Sequence, residues 1–414
     1  MSAAASLSRL LGTLWFRRMR VEGPPLPEGP ILLLLNHPNA LLDPLVAAAL
    51  LPHTPRFVAK ATLWKQPVLR PFLALFNPIP VHRAQEGGDG NTTEETFAAV
   101  HAALSQNAVV GLFPEGISHG MPDLAPLKTG AARLALSYPG PLSVIPAGLV
   151  YGERRLFRQG VLLRLGAPIP FDDLKPCGLE PENVRALTAR IQGALRPLTL
   201  HGAEVERLKL AQNLAWLLAE EPSAISDLEA VRHRVQALLP KLEAMGREDR
   251  ARLRHRVRAA HRWLRQSGLR PDQVGHPYPL QEVAAWIPRV ALRLLLAPLL
   301  LPFALLFAPP VWIVDRAVRA LAREVDMVAT TGILAGLLLL VAWTGLGAWW
   351  LHHEGWPWAL APLAWVPAYL GLRLFERLRE DVQAVRGFRA RRAKAAPRLL
   401  DAKRMLLEAF PELG

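Results

Sequence analysis

Cysteine is almost missing from this chain: Cys177 is the only one among 414 residues. That excludes a disulfide framework and any thiolate metal cluster. A negative charge balance is missing too. Lys and Arg number 49 against 35 Asp and Glu, a formal charge of +14 with a sequence pI near 10.7. Such a chain wants an anionic partner. The composition of a disordered protein is also absent, with 51% hydrophobic and 20% charged residues. Internal repeats are absent. The opening MSAAASLSRLLGTLWFRRMR has no basic segment ahead of an apolar stretch, so it makes a poor signal peptide. The length fits roughly two or three domains of ~150 residues.

What is present is long uncharged runs. Residues 294–314, 327–351 and 355–372 carry no charge. A bilayer core takes about 20 apolar helical residues to cross, so all three qualify, the third by a narrow margin. Trp349, Trp350, Trp356 and Trp358 cluster where the second and third runs meet, as an interfacial belt does. Basic segments prefer the cytoplasm. A hairpin of the second and third runs, with the first re-entrant or lying at the interface, keeps every basic segment on one side. Pro298, Pro302, Pro309 and Pro310 make the first run a poor straight helix. At the N-terminus, Leu7, Leu10, Leu11, Leu14 and Trp15 fall near helical spacing, with Arg17, Arg18 and Arg20 behind them. That suits a helix on an anionic membrane surface, or equally one packed on a core.

Residues 21–178 read as α/β. Nearly continuous apolar runs at 31–35, 56–59, 108–113, 143–150 and 161–165 have the look of buried strands. Helical stretches lie between them, at about 43–51, 63–76, 92–106 and 128–138. The expected organisation is a surface helix over 1–20, an α/β domain over 21–178 with a mostly buried sheet flanked by helices, a charged helical region over 179–285, membrane segments over 286–372 and a basic cytoplasmic tail over 373–414.

Chemistry gathers after the strands, where open α/β sheets place their sites. His37 and Asp43, in NHPNALLDP, could form a dyad in which the carboxylate fixes the imidazole tautomer. Asp43 could equally cap a helix, with Pro44 at its first position. FPEGISHG follows another strand, and Gly116 permits a close approach or a positive φ. Lys128 stands before a helix start, where a phosphate would be welcome. Arg83 ends the stretch IPVHR, and a guanidinium there can hold a phosphate bidentately. The strand SVIPAGLVY contains Pro146, which argues for an edge or a bend. Taken alone, a surface arginine, a solvated lysine and a plain turn are the ordinary explanations of these features.

Taken together and in order, NHPNALLDP, IPVHR, FPEGISHG and VIPAGLVY resemble the four blocks of the glycerolipid acyltransferases, over about residues 30–170. The run FPEGISHGMPDLAPLKTGAARLAL and the YGERRLFRQGVLLRLGAPIP stretch are most similar to the glycerol-3-phosphate/dihydroxyacetone-phosphate branch. The resemblance implies that His37 is the general base and Asp43 its partner. It implies that Arg83, Glu115 and Gly116, with Ser118 in the same block, bind the acceptor phosphate, and that Pro146 lies on the acyl-donor side. Two departures stand out: one more residue separates His37 from Asp43 than the family's usual spacing has, and Ser118 stands where an arginine often does. Phosphate binding then leans on Arg83 and Lys128, with Lys60 behind them.

The implied activity transfers a fatty acyl group from acyl-CoA or acyl carrier protein to glycerol-3-phosphate or lysophosphatidic acid. No metal or bound cofactor is expected, the acyl thioester being a cosubstrate. Anionic lipids are the expected partners and nucleic acid is not. With arginine greatly outnumbering lysine and no organellar targeting signal, the expected location is a bacterial inner membrane, site facing the cytoplasm. Rival readings are another lysolipid or aminoacyl-lipid acceptor, a non-catalytic membrane scaffold, and a metal-dependent phosphoesterase using His37, Asp43, His82 and His119.

Overall fold

The computed structural model describes residues 2–66, 70–81, 91–121, 123–152, 157–200, 204–219, 227–267, 270–271, 279–321 and 327–392, with 401, 404 and 408. The chain divides into two compact units, Met1–His201 with Glu324–Thr330, and Gly202–Arg323 with Thr331–Gly414.

The first unit is α/β, as the apolar runs imply. Among the described residues its sheet has seven strands, in the order β1-β7-β6-β2-β5-β3-β4. They are β1 Arg18–Glu22, β2 Ile31–Leu35, β3 Arg56–Lys60, β4 Ile79–Val81, β5 Val109–Leu112, β6 Ser143–Tyr151 and β7 Gly160–Leu165. Every pairing is parallel except β6 with β7. Strand β2, Ile-Leu-Leu-Leu-Leu, is buried at all five positions, as a strand covered on both faces must be. The helices of this unit are α1 Ala3–Trp15, α2 Leu42–Leu50, α3 Arg70–Phe76, α4 Asn91–Ser105, α5 Gly130–Ser137 and α6 Pro181–Leu195. One core joins Leu32, Leu34 and Val110 of the sheet to Leu104, Leu134 and Leu187 of these helices. The 63–76 stretch contains a 3-10 turn, Ala61–Lys65, ahead of α3.

Three details differ from the expected pattern. Arg18 and Arg20 are not a basic trailer behind a helix but the start of edge strand β1, in register with Gly160 and Leu162. Helix α1 turns a seam of small residues, Ala4, Ala5, Ser8 and Gly12 with Leu11, inward and packs on α2. Leu10 stays exposed. Arg9 Nε donates to Ala49 O at 3.0 Å. The Arg158 guanidinium closes the end of α1, donating to Thr13 O at 2.5 Å and Phe16 O at 2.7 Å, carbonyls that a helix end leaves open.

The third concerns Pro146, which is neither at an edge nor in a bend. Strand β6 is interior, flanked by β2 and β7, and Pro146 is paired with Leu34. Its carbonyl accepts from Gly166 N at 2.8 Å. A strand residue's N and O face the same side, so the missing N–H also faces β7. The antiparallel ladder starts only at Ala147, so no bond to β2 is lost.

In the second unit, α7 Val205–Leu217, α8 Leu228–Ala244 and α9 Arg247–Ser267 form the charged helical region. Then come α10 Leu280–Leu306, α11 Ala308–Leu321, α12 Met327–His353, which belongs to this unit from Thr331 onward, and a short α13 Leu360–Leu363. Last is α14 Trp365–Arg392. Two of these helices are long and apolar enough to cross a membrane: Leu280–Leu306, and Thr330–His353 within α12. Helix α10 continues through Pro288, Pro298 and Pro302 and breaks at Phe307, so the first uncharged run is shared with α11. The run 355–372 is divided among a turn, α13 and the start of α14. Helices α10 and α14 lie antiparallel, Gly371 beside Leu300 and Arg293 beside Asp381 at 2.7 Å. A Cβ at 371 would stand 2.3 Å from Leu300 O, so only glycine allows this crossing.

Candidate active site

Because β2, β3, β4, β5 and β6 run in one direction, their carboxyl ends share one edge of the sheet. That edge collects His37 after β2, Lys60 at the end of β3, Glu115 after β5 and Tyr151 at the end of β6. Strand β6 outruns β2, since Leu35 pairs with Ala147. The Asn36 side chain fills the gap. Its amide donates to Leu149 O at 3.1 Å and accepts from Leu149 N at 2.7 Å, prolonging the ladder by one rung. This fixes the backbone immediately before His37.

His37 Nδ1 lies 2.8 Å from Asp43 Oδ2, with the carboxylate fully buried and the imidazole 18% exposed. A carboxylate only accepts, so Nδ1 carries the proton and Nε2 of the neutral ring is the free base. Asp43 is not an N-cap. Helix α2 starts at Leu42 with Leu41 as cap and no side-chain capping bond. The carboxylate instead turns back to accept from Asn39 N at 2.8 Å and from Tyr151 Oη at 2.6 Å. Between His37 and Asp43, Ala40 adopts φ +43, a conformation costly for a residue with a Cβ. The imidazole stacks on Phe113 at 3.8 Å between centroids and 8° between planes. Phe57 stacks behind Phe113 at 5.2 Å.

Glu115 has a fully buried side chain. Oε1 accepts from His37 N at 2.8 Å, and Oε2 accepts from Ala125 N at 2.6 Å and from His119 Nε2. His119 in turn donates its backbone N–H to His37 O at 3.1 Å, and its Nδ1 accepts from Met121 N at 3.2 Å. Glu115 thus ties the loop after β2 to the loop after β5. Gly116 has φ +70, and a Cβ there would meet Lys128 Cδ at 2.8 Å. The missing side chain lets the exposed lysine lie across this turn.

The structure therefore brings His37, Asp43, Glu115, Gly116 and Lys128 together, with Ser118 half-buried in the same loop. It does not bring Pro146 to them. Pro146 is buried within the sheet, five residues or about 17 Å of strand from Tyr151. Arg83 and His82 lie outside the described residues; β4 ends at Val81, beside Lys60. Tyr151 and the Phe113–Phe57 stack escaped the sequence reading, although Tyr151 closes the fourth block and Phe113 opens the third. The phosphoesterase alternative finds each described imidazole bonded to its own carboxylate, His37 to Asp43 and His119 to Glu115.

Residues 10–150 match the family model described as Acyltransferase, an interval that holds the first three blocks and the fourth as far as Val150. This part of the chain is an acyltransferase domain. Glycerol-3-phosphate O-acyltransferase 2 of Saccharomyces cerevisiae is 41% identical over 83 residues, covering 19% of this chain and 11% of that protein. Glycerol-3-phosphate O-acyltransferase 1 of the same yeast is 25% identical over 290 residues, covering 63% and 38%. The chain thus spans a minor part of either relative's length. The crystal structure of the 1-acyl-sn-glycerophosphate acyltransferase PlsC from Thermotoga maritima aligns with a TM-score of 0.35 and 18% identity, over 46% of this chain and 75% of that one.

Proposed function

We propose that this protein is a membrane-bound O-acyltransferase that esterifies glycerol-3-phosphate with a fatty acyl group from an acyl thioester, acyl-CoA or acyl carrier protein. The observation that carries the reading is the His37–Asp43 pair at 2.8 Å, with the second ring nitrogen facing away from its carboxylate. The names of the two yeast relatives favour glycerol-3-phosphate over lysophosphatidic acid as acceptor.

In the mechanism, Nε2 of His37 takes the proton of the acceptor hydroxyl as its oxygen attacks the thioester carbonyl. Asp43 steadies the imidazolium that results. The carbon–sulfur bond then breaks and the proton passes from His37 to the departing thiolate, so ester and free thiol leave and the enzyme returns to its starting state. The acceptor phosphate docks on Lys128 across Gly116, with Arg83 and Lys60 as further cations and Ser118 as a hydroxyl donor, which orients the reacting hydroxyl. Glu115 serves this site at one remove. A buried anion that already accepts three N–H groups does not meet a phosphate; it holds the two loops that do. Pro146 shapes the sheet behind the site.

The membrane reading draws on the apolar side chains of α10, which are exposed along its length, and on Trp349, Trp350, Trp356 and Trp358, all more than half exposed. Basic segments on the cytoplasmic side would draw anionic lipid headgroups to the surface. The test is acyl transfer by detergent-purified protein, with glycerol-3-phosphate and lysophosphatidic acid as parallel acceptors and His37→Ala as control. Transfer to lysophosphatidic acid alone would move the acceptor assignment.

A further inference from the structure

We infer that Tyr151 is a positioning residue of the site: its hydroxyl clamps the far oxygen of Asp43 and through it sets the angle and tautomer of His37. The inference rests on the acyl-transfer reading above. It starts from the accounting of one carboxylate. Asp43 is fully buried, away from bulk solvent. Oδ2 is taken by His37 Nδ1 and Asn39 N, both at 2.8 Å. Oδ1 is taken by Tyr151 Oη at 2.6 Å, within the range of a charge-assisted O–H···O⁻ bond.

With Oδ2 alone held, the carboxylate can still turn about its Cβ–Cγ bond, and the Nδ1 proton would follow a moving acceptor. A donor on Oδ1 removes that freedom. The donor comes from the sheet. Tyr151 pairs with Val161 of β7, and its ring lies against Phe16 at 5.9 Å. His37 rides on a loop, Asp43 on the first turn of α2, and Tyr151 on the sheet. The hydroxyl therefore references a loop–helix pair to a strand, which is how a pre-organised site keeps its geometry. The length of β6 beyond the end of β2 is what carries Tyr151 this far.

The experiment compares wild type, His37→Ala, Tyr151→Phe, Asp43→Asn and the Asp43→Asn/Tyr151→Phe double variant, with Phe16→Leu as a packing control. Tyr151→Phe is expected to lower kcat about 10- to 100-fold, the worth of a hydrogen bond to a charged group. Both KM values are expected to stay within about twofold, because the inferred role acts through Asp43 and not on a substrate. In the Asp43→Asn background the same change is expected to alter kcat by less than about twofold, since the effect runs through Asp43. Phe16→Leu is expected to lower Tm and leave kcat within about twofold. A Tyr151→Phe protein with wild-type kcat, or with the same loss in both backgrounds, would overturn the inference. So would one that fails to fold, because a hydroxyl that only positions Asp43 is not needed by the fold. A wild type without transfer, or a His37→Ala protein that retains it, would instead sink the acyl-transfer reading itself.

Discussion

Two histidine–carboxylate pairs sit at the carboxyl edge of the same sheet, and they are built for different work. In the loop after β2, His37 spends one ring nitrogen on Asp43 and keeps the other, with 18% of its side chain exposed. In the loop after β5, His119 spends both: Nε2 on Glu115 and Nδ1 on the N–H of Met121. Asp43 accepts from a tyrosine of the sheet, a loop backbone and the ring it serves. Glu115 accepts from two backbone N–H groups and a ring, and so works as a knot between loops. Both pairs join an imidazole to a buried carboxylate; what separates a base from a brace is how many of the ring's nitrogens are already committed.

That contrast is open to direct attack. His37→Ala is expected to cost between about 100- and 10,000-fold in kcat, the usual worth of a general base, with Tm little changed. His119→Asn is expected to do the reverse, lowering Tm while kcat stays within about tenfold, because the loop loses the ring and its Glu115 bond while the His37–Asp43 pair is untouched. Equal losses of kcat in the two variants would erase the distinction. Glu115→Gln replaces an acceptor of three N–H groups by an amide that can satisfy fewer, and denaturant unfolding is expected to register a loss of about 1–3 kcal/mol. If that variant instead kept its stability and lost only acceptor affinity, Glu115 would be a ligand and not a knot. Gly116→Ala must strain φ +70 and push Lys128 aside. It is expected to raise the KM for the phosphate-bearing acceptor about three- to tenfold, with the KM for the thioester unmoved.

The smallest effect belongs to a surface pair far from the contrast. The Arg190 hydrogen bond and charge hold the Asp173 carboxyl below its usual range. Its folded pKa is depressed, so the contribution is present above the unfolded value of 3.8 and fades as pH falls below it. Arg190→Ala should therefore shift Tm slightly at neutral pH and by less in acid, where Asp173 takes up its proton; a larger shift in acid than at neutral pH would reverse the sign.

Much of this site could be read from the chain because its residues follow strands. The runs 31–35 and 108–113 put His37 and Glu115 at strand ends, and parallel strands bring such ends to one edge. The block NHPNALLDP also offers His37 and Asp43 as a dyad, although their spacing is one residue longer than the family's usual one. What escaped was whatever depends on register. Tyr151 reaches Asp43 across 108 positions only because β6 extends past β2, and no local pattern encodes that overhang. Pro146 suggests an edge because proline lacks a donor; the strand is interior, and the missing donor faces Gly166, just past the end of β7. In α1 the leucines drew attention, but the small residues make the contact, since Ala4, Ala5, Ser8 and Gly12 let the helix sit close on α2. Glu115 resembles a phosphate-binding residue by its block, yet its burial makes it an internal acceptor.

The central claim is that His37, held by Asp43, activates a hydroxyl toward an acyl thioester. A transfer assay with radiolabelled acyl-CoA and glycerol-3-phosphate, run on wild type and on folded His37→Ala, tests it most directly. The account expects labelled lysophosphatidic acid from wild type and none above background from the variant. Equal product from both proteins would contradict it.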